Sequence, residues 1–388
     1  MPVEMLEEVL RHSRKADLYR FLLTSQQVFI ICIRLLYRKM GWRTYIEMLT
    51  QYPRFGQGPR AHLYASAVRV FYLGGPSNYP NATEWNWTEV IQAISHFSHL
   101  QSLAIDRIRF PVYLLPAVID KFPNLRRLHY RSPISGPSTF TPCLIPSSVA
   151  HAPPGHYSAL TSLDIRRYAV RDRFGFMDAG VASLASLSAL PGLKVLHTDM
   201  CSWDTVLRGR ERAGWTLPKS LHELVIFSRY PDEDLPMDSS SATSLFRALE
   251  ACSQSLQTLR ILLPYPVQPD SSCRNVDFLQ LEEYVGPEGL LPYIKFSPNL
   301  RVVWVPRTEC VVGPTVDSIK LAAPLGCLHL LSIGSWDANQ HPLSSFLTSL
   351  TNLQELFLAP LSNVGKVVSV SSILLSHVAD GPGTGFNS

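Results

Sequence analysis

The apolar positions of this chain follow one short pattern through most of its length: apolar, two variable, apolar, one variable, apolar. Copies start at Leu100, Leu125, Leu160, Leu193, Leu221, Leu256, Val276, Leu300, Leu328 and Leu353, with a weaker first copy at Val68. That makes eleven copies whose starts lie 20 to 35 residues apart. Alternation in the second half of the pattern is the signature of a half-buried strand, with apolar members inward and variable members outward. Strands are therefore expected to end at Ile105, Tyr130, Ile165, Thr198, Ile226, Ile261, Leu281, Val305, Ile333 and Leu358. Many copies share a lead-in, as in Phe122-Pro-Asn-Leu125, Ser297-Pro-Asn-Leu300 and Leu350-Thr-Asn-Leu353.

Between copies the apolar spacing turns helical, over Trp87–Phe97 (entered at the cap candidate Thr88), Val112–Phe122, Asp178–Leu190, Ser239–Ala251 and Leu343–Leu350. One strand and one helix per copy cannot bury an apolar face alone, whereas stacked copies can. The pattern predicts an α/β solenoid with its strands in one parallel sheet. Three segments break the rhythm: a Pro- and Ser-rich loop at 131–156, a basic stretch at 166–173 and an acidic one at 229–241. A tail at 380–388, rich in Gly, reads as frayed.

The first fifty residues lack the repeat and read as three helices. Pro2–His12 carries Met5, Leu6, Val9 and Leu10 on one face. A second helix has Asp17 as its cap candidate, and a third runs from the cap candidate Ser25 to about Met40. They hold more Leu, Ile and Phe than they can hide among themselves, so the adjoining repeats or a partner should cover part of it.

The repeat pattern resembles the leucine-rich-repeat family in a long, degenerate form, over residues 62–379. The place three residues after the last apolar position, Asn or Cys in that family, fits only at Cys201. A continuous asparagine ladder is therefore absent. The N-terminal segment, with Pro2, Glu4, Leu6, Val9 and Leu10, then Asp17-Leu18, Ser25, Phe29 and Ile33, Leu35, Leu36, Tyr37, resembles an F-box over residues 1–50. Met1 and Ser13 depart from that motif. Together the resemblances imply a leucine-rich-repeat horseshoe preceded by a small three-helix F-box-like domain. They imply a substrate-recognition adaptor of a cullin-type ubiquitin ligase. Pro2, Leu6, Val9, Leu10 and Phe29 would meet a Skp-type adaptor. A protein substrate would be held by outward strand positions, among them Arg127, His129, Arg131, Arg166, Phe227, Arg260, Trp304 and Phe357. Arg and aromatic side chains are the usual anchors of protein interfaces. Arg127, Arg131 and Arg166 form a candidate basic patch, unless Asp164 neutralises Arg131 and Arg166. The competing reading is an interaction scaffold whose N-terminal helices only cap the array. A cap buries Met5, Leu6, Val9, Leu10 and Phe29 against Val68–Leu73, whereas an F-box leaves them exposed.

Composition narrows the rest. Thirty-five Lys and Arg against 31 Asp and Glu leave a net charge of +4, too mild to argue for nucleic acid. No apolar run reaches the roughly 18 residues of a membrane span, and the first residues do not read as a signal peptide. Seven scattered cysteines without a CxxC pair read as reduced thiols, as expected in the cytoplasm or nucleus. No phosphate loop, GxSxG or HExxH is present, and no cofactor or metal is expected. His96 and His99 are too near a helix end to favour a metal site. The sequence points to a binding protein rather than an enzyme.

Overall fold

A computed structural model describes residues 2–74, 85–106, 108, 110, 114–132, 159–167, 190–199, 217–227, 239–263, 275–295, 298–305, 327–336 and 350–360. The expected helices at 178–190 and 343–350 lie almost wholly outside the described residues, as do most of the three insertions and the C-terminal tail. The chain forms two compact units, Met1–Leu193 and Lys194–Ser388.

The first unit opens with α1 (Val3–Arg11), α2 (Lys15–Phe21) and α3 (Gln26–Tyr37). Ser25 caps α3, its hydroxyl accepting from the Val28 amide at 3.2 Å. The cap of α2 is Arg14, with Asp17 inside the first turn rather than before it. Here a carboxylate still favours the positive end of the helix dipole. Leu10, Leu18, Ile31, Cys32 and Leu36 form a core that belongs to these three helices.

Instead of continuing to Met40, the third helix gives way to a strand, β1 (Lys39–Trp42). Short helices α4 (Tyr45–Gln51), α5 (Pro53–Gly56) and α6 (Ala61–Ala67) lead to β2 (Val70–Gly74). Then follow α7 (Trp87–Ile94), β3 (Ser102–Asp106), α8 (Leu115–Asp120), β4 (Arg127–Ser132) and β5 (Ser162–Arg167). The five strands pair in parallel in chain order, with Phe71, Leu103, Leu128 and Leu163 in one register row. Met40 pairs with Phe71 and Trp42 with Leu73, so Tyr37, Met40 and Trp42 occupy the three apolar places of an additional copy. Trp42, Phe55, Phe71 and Phe97 pack beneath it as a fully buried aromatic cluster, Trp42 edge-on to Phe71 at 4.7 Å. The cap of α7 is Asn86 rather than Thr88. Its amide donates to the Glu89 carboxylate while its oxygen receives the Glu89 amide, a reciprocal pair that Thr88 has no way to make.

The second unit contains β6 (Val195–Asp199), β7 (Glu223–Phe227), α9 (Ser239–Cys252), β8 (Thr258–Leu262), β9 (Val276–Asp277) and β10 (Glu283–Val285). A 3-10 turn at Glu288–Tyr293, β11 (Ile294–Lys295), β12 (Val302–Val305), β13 (Leu330–Trp336) and β14 (Glu355–Pro360) follow. β6, β7, β8, β10, β12, β13 and β14 form a parallel sheet in that order. The expected strand ending at Leu281 is a correction. Val276 and Asp277 pair with β11 in a separate two-stranded sheet, and the sheet strand is β10. The actual copy is Leu281, Tyr284 and Gly286. Glycine stands in the third apolar place because a Cβ there would lie 2.7 Å from the Tyr284 hydroxyl, so the tyrosine ring fills that space.

A backbone device repeats through both units. The amides of two successive residues share the carbonyl of the matching residue in the preceding copy. Arg69 and Val70 donate to Arg38, Arg126 and Arg127 to Gln101, and Glu282 and Glu283 to Gln257. Polar lead-in side chains add ties of the same kind: Asn124 donates to the Ser98 carbonyl at 3.3 Å and Ser255 to Leu221 at 2.8 Å.

Candidate binding surfaces

In each unit the strands turn their alternate apolar residues inward, so Leu103, Leu163, Leu196, Leu224 and Leu259 are fully buried. In each unit the intervening side chains line the other face of the strands, and the sequence-predicted substrate residues of that unit lie there.

In the first unit that face is polar. Register sets Tyr72, Ala104, His129 and Asp164 in one row, and Gly74, Asp106, Arg131 and Arg166 in the next. Asp164 is the hub. Its Oδ2 lies 2.8 Å from His129 Nδ1, and its Oδ1 accepts from Arg166 Nε at 2.8 Å. Burial pushes the carboxyl up, but the hydrogen bonds from His129 and Arg166, with their charges, outweigh it and hold it below the ordinary aspartate value. The expected neutralisation is thus half right: Asp164 takes Arg166 with His129, and not Arg131. Arg131 sits in register beside Asp106, which accepts from the Tyr72 hydroxyl at 3.2 Å. Arg127 lies one row lower and is exposed.

The second unit's open face is mixed. His197, Val225, Arg260, Val285, Trp304, Ser332 and Phe357 share one row. Arg260 meets both oxygens of Glu283, at 2.7 and 3.0 Å, a forked ion pair that engages its guanidinium. His197 Nε2 lies 2.9 Å from Glu223 Oε1. Beyond Arg260 the row turns apolar. Trp304 and Phe357 are 49% and 40% exposed and flank the small Ser332, on strands about 10 Å apart. Phe227 is half-buried in the row above, beside the 40% exposed Leu262.

The residues expected to meet an adaptor separate into two groups. Pro2 and Val9 are exposed, as is Met5, with Val9 and Met5 each at 59%. Leu10 is 3% exposed inside the helices' own core, Leu6 packs half-buried against that core, and Phe29 is half-buried under the Arg60 guanidinium at 4.9 Å. Sequence reasoning passed over Val3, Tyr19, Phe21 and Leu23, which add exposed apolar surface on α1, on α2 and just beyond it. Placing Leu23 required knowing that the chain breaks at residues 22–25.

Among the described residues no helix is long and apolar enough to cross a membrane, and no group of His, Cys, Asp and Glu is placed to hold a metal. No family model matches the chain, and no curated protein matches it. Among solved structures it is similar to a protein of Bacteroides fragilis, at 14% identity and a TM-score of 0.34, covering 78% of this chain and 75% of that one. It is also similar to the Rad7 and Elc1 complex in yeast, at 12% identity and a TM-score of 0.34, covering 94% of this chain and 89% of that one. Neither likeness bears on function.

Proposed function

We propose that this chain is a substrate-recognition adaptor of a cullin-type ubiquitin ligase, its N-terminal helices docking a Skp-type adaptor and its open sheet faces holding a protein substrate. One observation carries the reading. The three N-terminal helices complete a core of their own and still leave Val3, Met5, Val9, Tyr19, Phe21 and Leu23 exposed. A helix that only caps a repeat array has no reason to keep a second apolar face in water. The chain would supply proximity, tethering substrate near a ubiquitin donor held by other subunits, and would break no bond itself.

A capped interaction scaffold is the second reading, favoured by α3 alone. Tyr37 ends that helix, opens the first repeat copy and packs on Tyr64 and Phe55 at 5.0 and 6.0 Å. Co-purification of the full chain with a Skp-type adaptor separates the two. Met5→Asp/Val9→Asp places carboxylates on exposed sites, so the chain stays folded while each carboxylate costs several kcal/mol in a buried contact. Loss of adaptor with an unchanged melt supports docking; a wild-type chain that captures no Skp-type adaptor leaves the scaffold.

A further inference from the structure

Each repeat copy has a variable place directly after its first apolar residue, and the shared-carbonyl bonding sets these places side by side. In the first unit they hold Arg38, Arg69, Gln101, Arg126 and Thr161. The next place along holds Lys39, Val70, Ser102, Arg127 and Ser162. Five of these ten side chains are basic and none is acidic. Arg38, Lys39, Arg126 and Arg127 are exposed, and so is Arg34, one helical turn before Arg38. No ion pair among the described residues engages any of them.

The repeat itself does not require this. The same places in the second unit hold Lys194, His222, Gln257, Glu282, Arg301, His329 and Gln354, followed by a row containing Glu223, Glu283 and Glu355. Like charges gathered at one strand pitch repel. Arg69 registers the strain: partial burial, then the charges of Arg34 and Arg38, lower its pKa. Its guanidinium answers by donating to the Ser66 and Val68 carbonyls at 2.5 and 3.3 Å.

We infer that this basic edge of the first unit's strands binds an acidic peptide segment in extended conformation, laid across them. Spacing supports the choice. Parallel strands lie about 4.8 Å apart, so Arg38 and Arg126, three strands apart, span about 14 Å. An extended peptide places every second side chain on one face, and its residues i and i+4 span about 13 Å. Carboxylates at i and i+4 therefore reach Arg38 and Arg126, each taking a guanidinium fork, while the one at i+2 lies over the positive charge of Arg69. Single-stranded nucleic acid fits less well, because the two rows hold no aromatic side chain on which a base would stack.

This goes beyond adaptor docking and does not rest on it, since it is assayed with no adaptor present. The test is fluorescence polarisation of the full chain with labelled Glu-Ser-Glu-Ser-Glu. The comparison probes are Glu-Glu-Glu-Ser-Ser, a short oligothymidylate and phosphatidylserine vesicles. The alternating peptide should bind best, and its affinity should fall as salt shortens the screening length. Arg38→Gln/Arg126→Gln, both at exposed sites, should weaken it about tenfold. Gln101→Arg, which fills the gap in the row, should tighten it, and that gain cannot arise from misfolding. Equal binding by the double variant, no preference for the alternating peptide, or tighter binding of the oligonucleotide or the vesicles would overturn the inference.

Discussion

Asp164 shows how much one side chain can organise on an open sheet face. It draws His129 and Arg166 together, and so removes one arginine from the three-arginine patch that the sequence suggests. Replacing it with Asn should cost about 1–3 kcal/mol near neutral pH, because two charge-assisted contacts are lost at once. The sign with pH follows from its lowered folded-state pKa. Its contribution is fully present above the unfolded-state aspartate value of about 3.9 and fades as pH falls through the lower folded value. Thermal melts of wild type and Asp164→Asn should therefore converge in strong acid; a constant gap down to low pH would refute the assignment. Gly41 is the other telling residue. A Cβ there would lie 2.6 Å from the Tyr72 carbonyl oxygen, which is backbone and cannot rotate away. Gly41→Ala should loosen β1 from β2, at a cost of about 1–3 kcal/mol. Amide exchange at Arg69 and Val70, whose N–H groups bond to Arg38, is the measurement that reports it.

Strands were far more legible than caps or helix ends. In most copies the three apolar places of the pattern are the inward residues of a sheet strand, because a buried face demands apolar side chains at a period of two. Leu163 and Leu259 are fully buried, so either one changed to Ala should lose about 2–5 kcal/mol in a denaturant titration; an unchanged midpoint for both would undo the inward and outward assignment. Two copies escaped the pattern for identifiable reasons. Tyr284 fills the volume of two apolar places, so its partner became Gly286 and the motif lost its last letter. Tyr37, Met40 and Trp42 were hidden because helical apolar spacing runs straight into them from α3, and only pairing with β2 reveals a strand. Caps depend on which of several nearby polar residues finds a reciprocal partner, as Asn86 does with Glu89. Composition cannot decide that.

At the scale of the whole molecule, a surface for partners divides into chemically distinct parts. The first unit offers a hydrogen-bonded polar face above a basic edge, the second two exposed aromatic side chains in the row of the forked Arg260–Glu283 pair. If the second face holds the substrate, Trp304→Ala/Phe357→Ala should weaken substrate binding by about 2–4 kcal/mol and leave the melt unchanged, since both side chains are exposed. Arg260→Ala tests a different point, because its loss strands Glu283, and a fall in stability there would mark a structural rather than a recognition role. What the sequence determined by itself is the repeat, its α/β character and the identity of nearly every inward residue. Those follow from hydrophobic periodicity, which is local and survives degeneration of individual copies. Which outward residues remain available to a partner was decided only by the tertiary structure. Availability depends on which neighbours the fold brings to a side chain, two residues along the same strand for Arg166 and one strand away for Arg260. Asp164 consumes Arg166, Glu283 consumes Arg260, and Leu10 turns into the helices' own core. Arg38 and Arg126, by contrast, stay exposed and are set in one row by strand register.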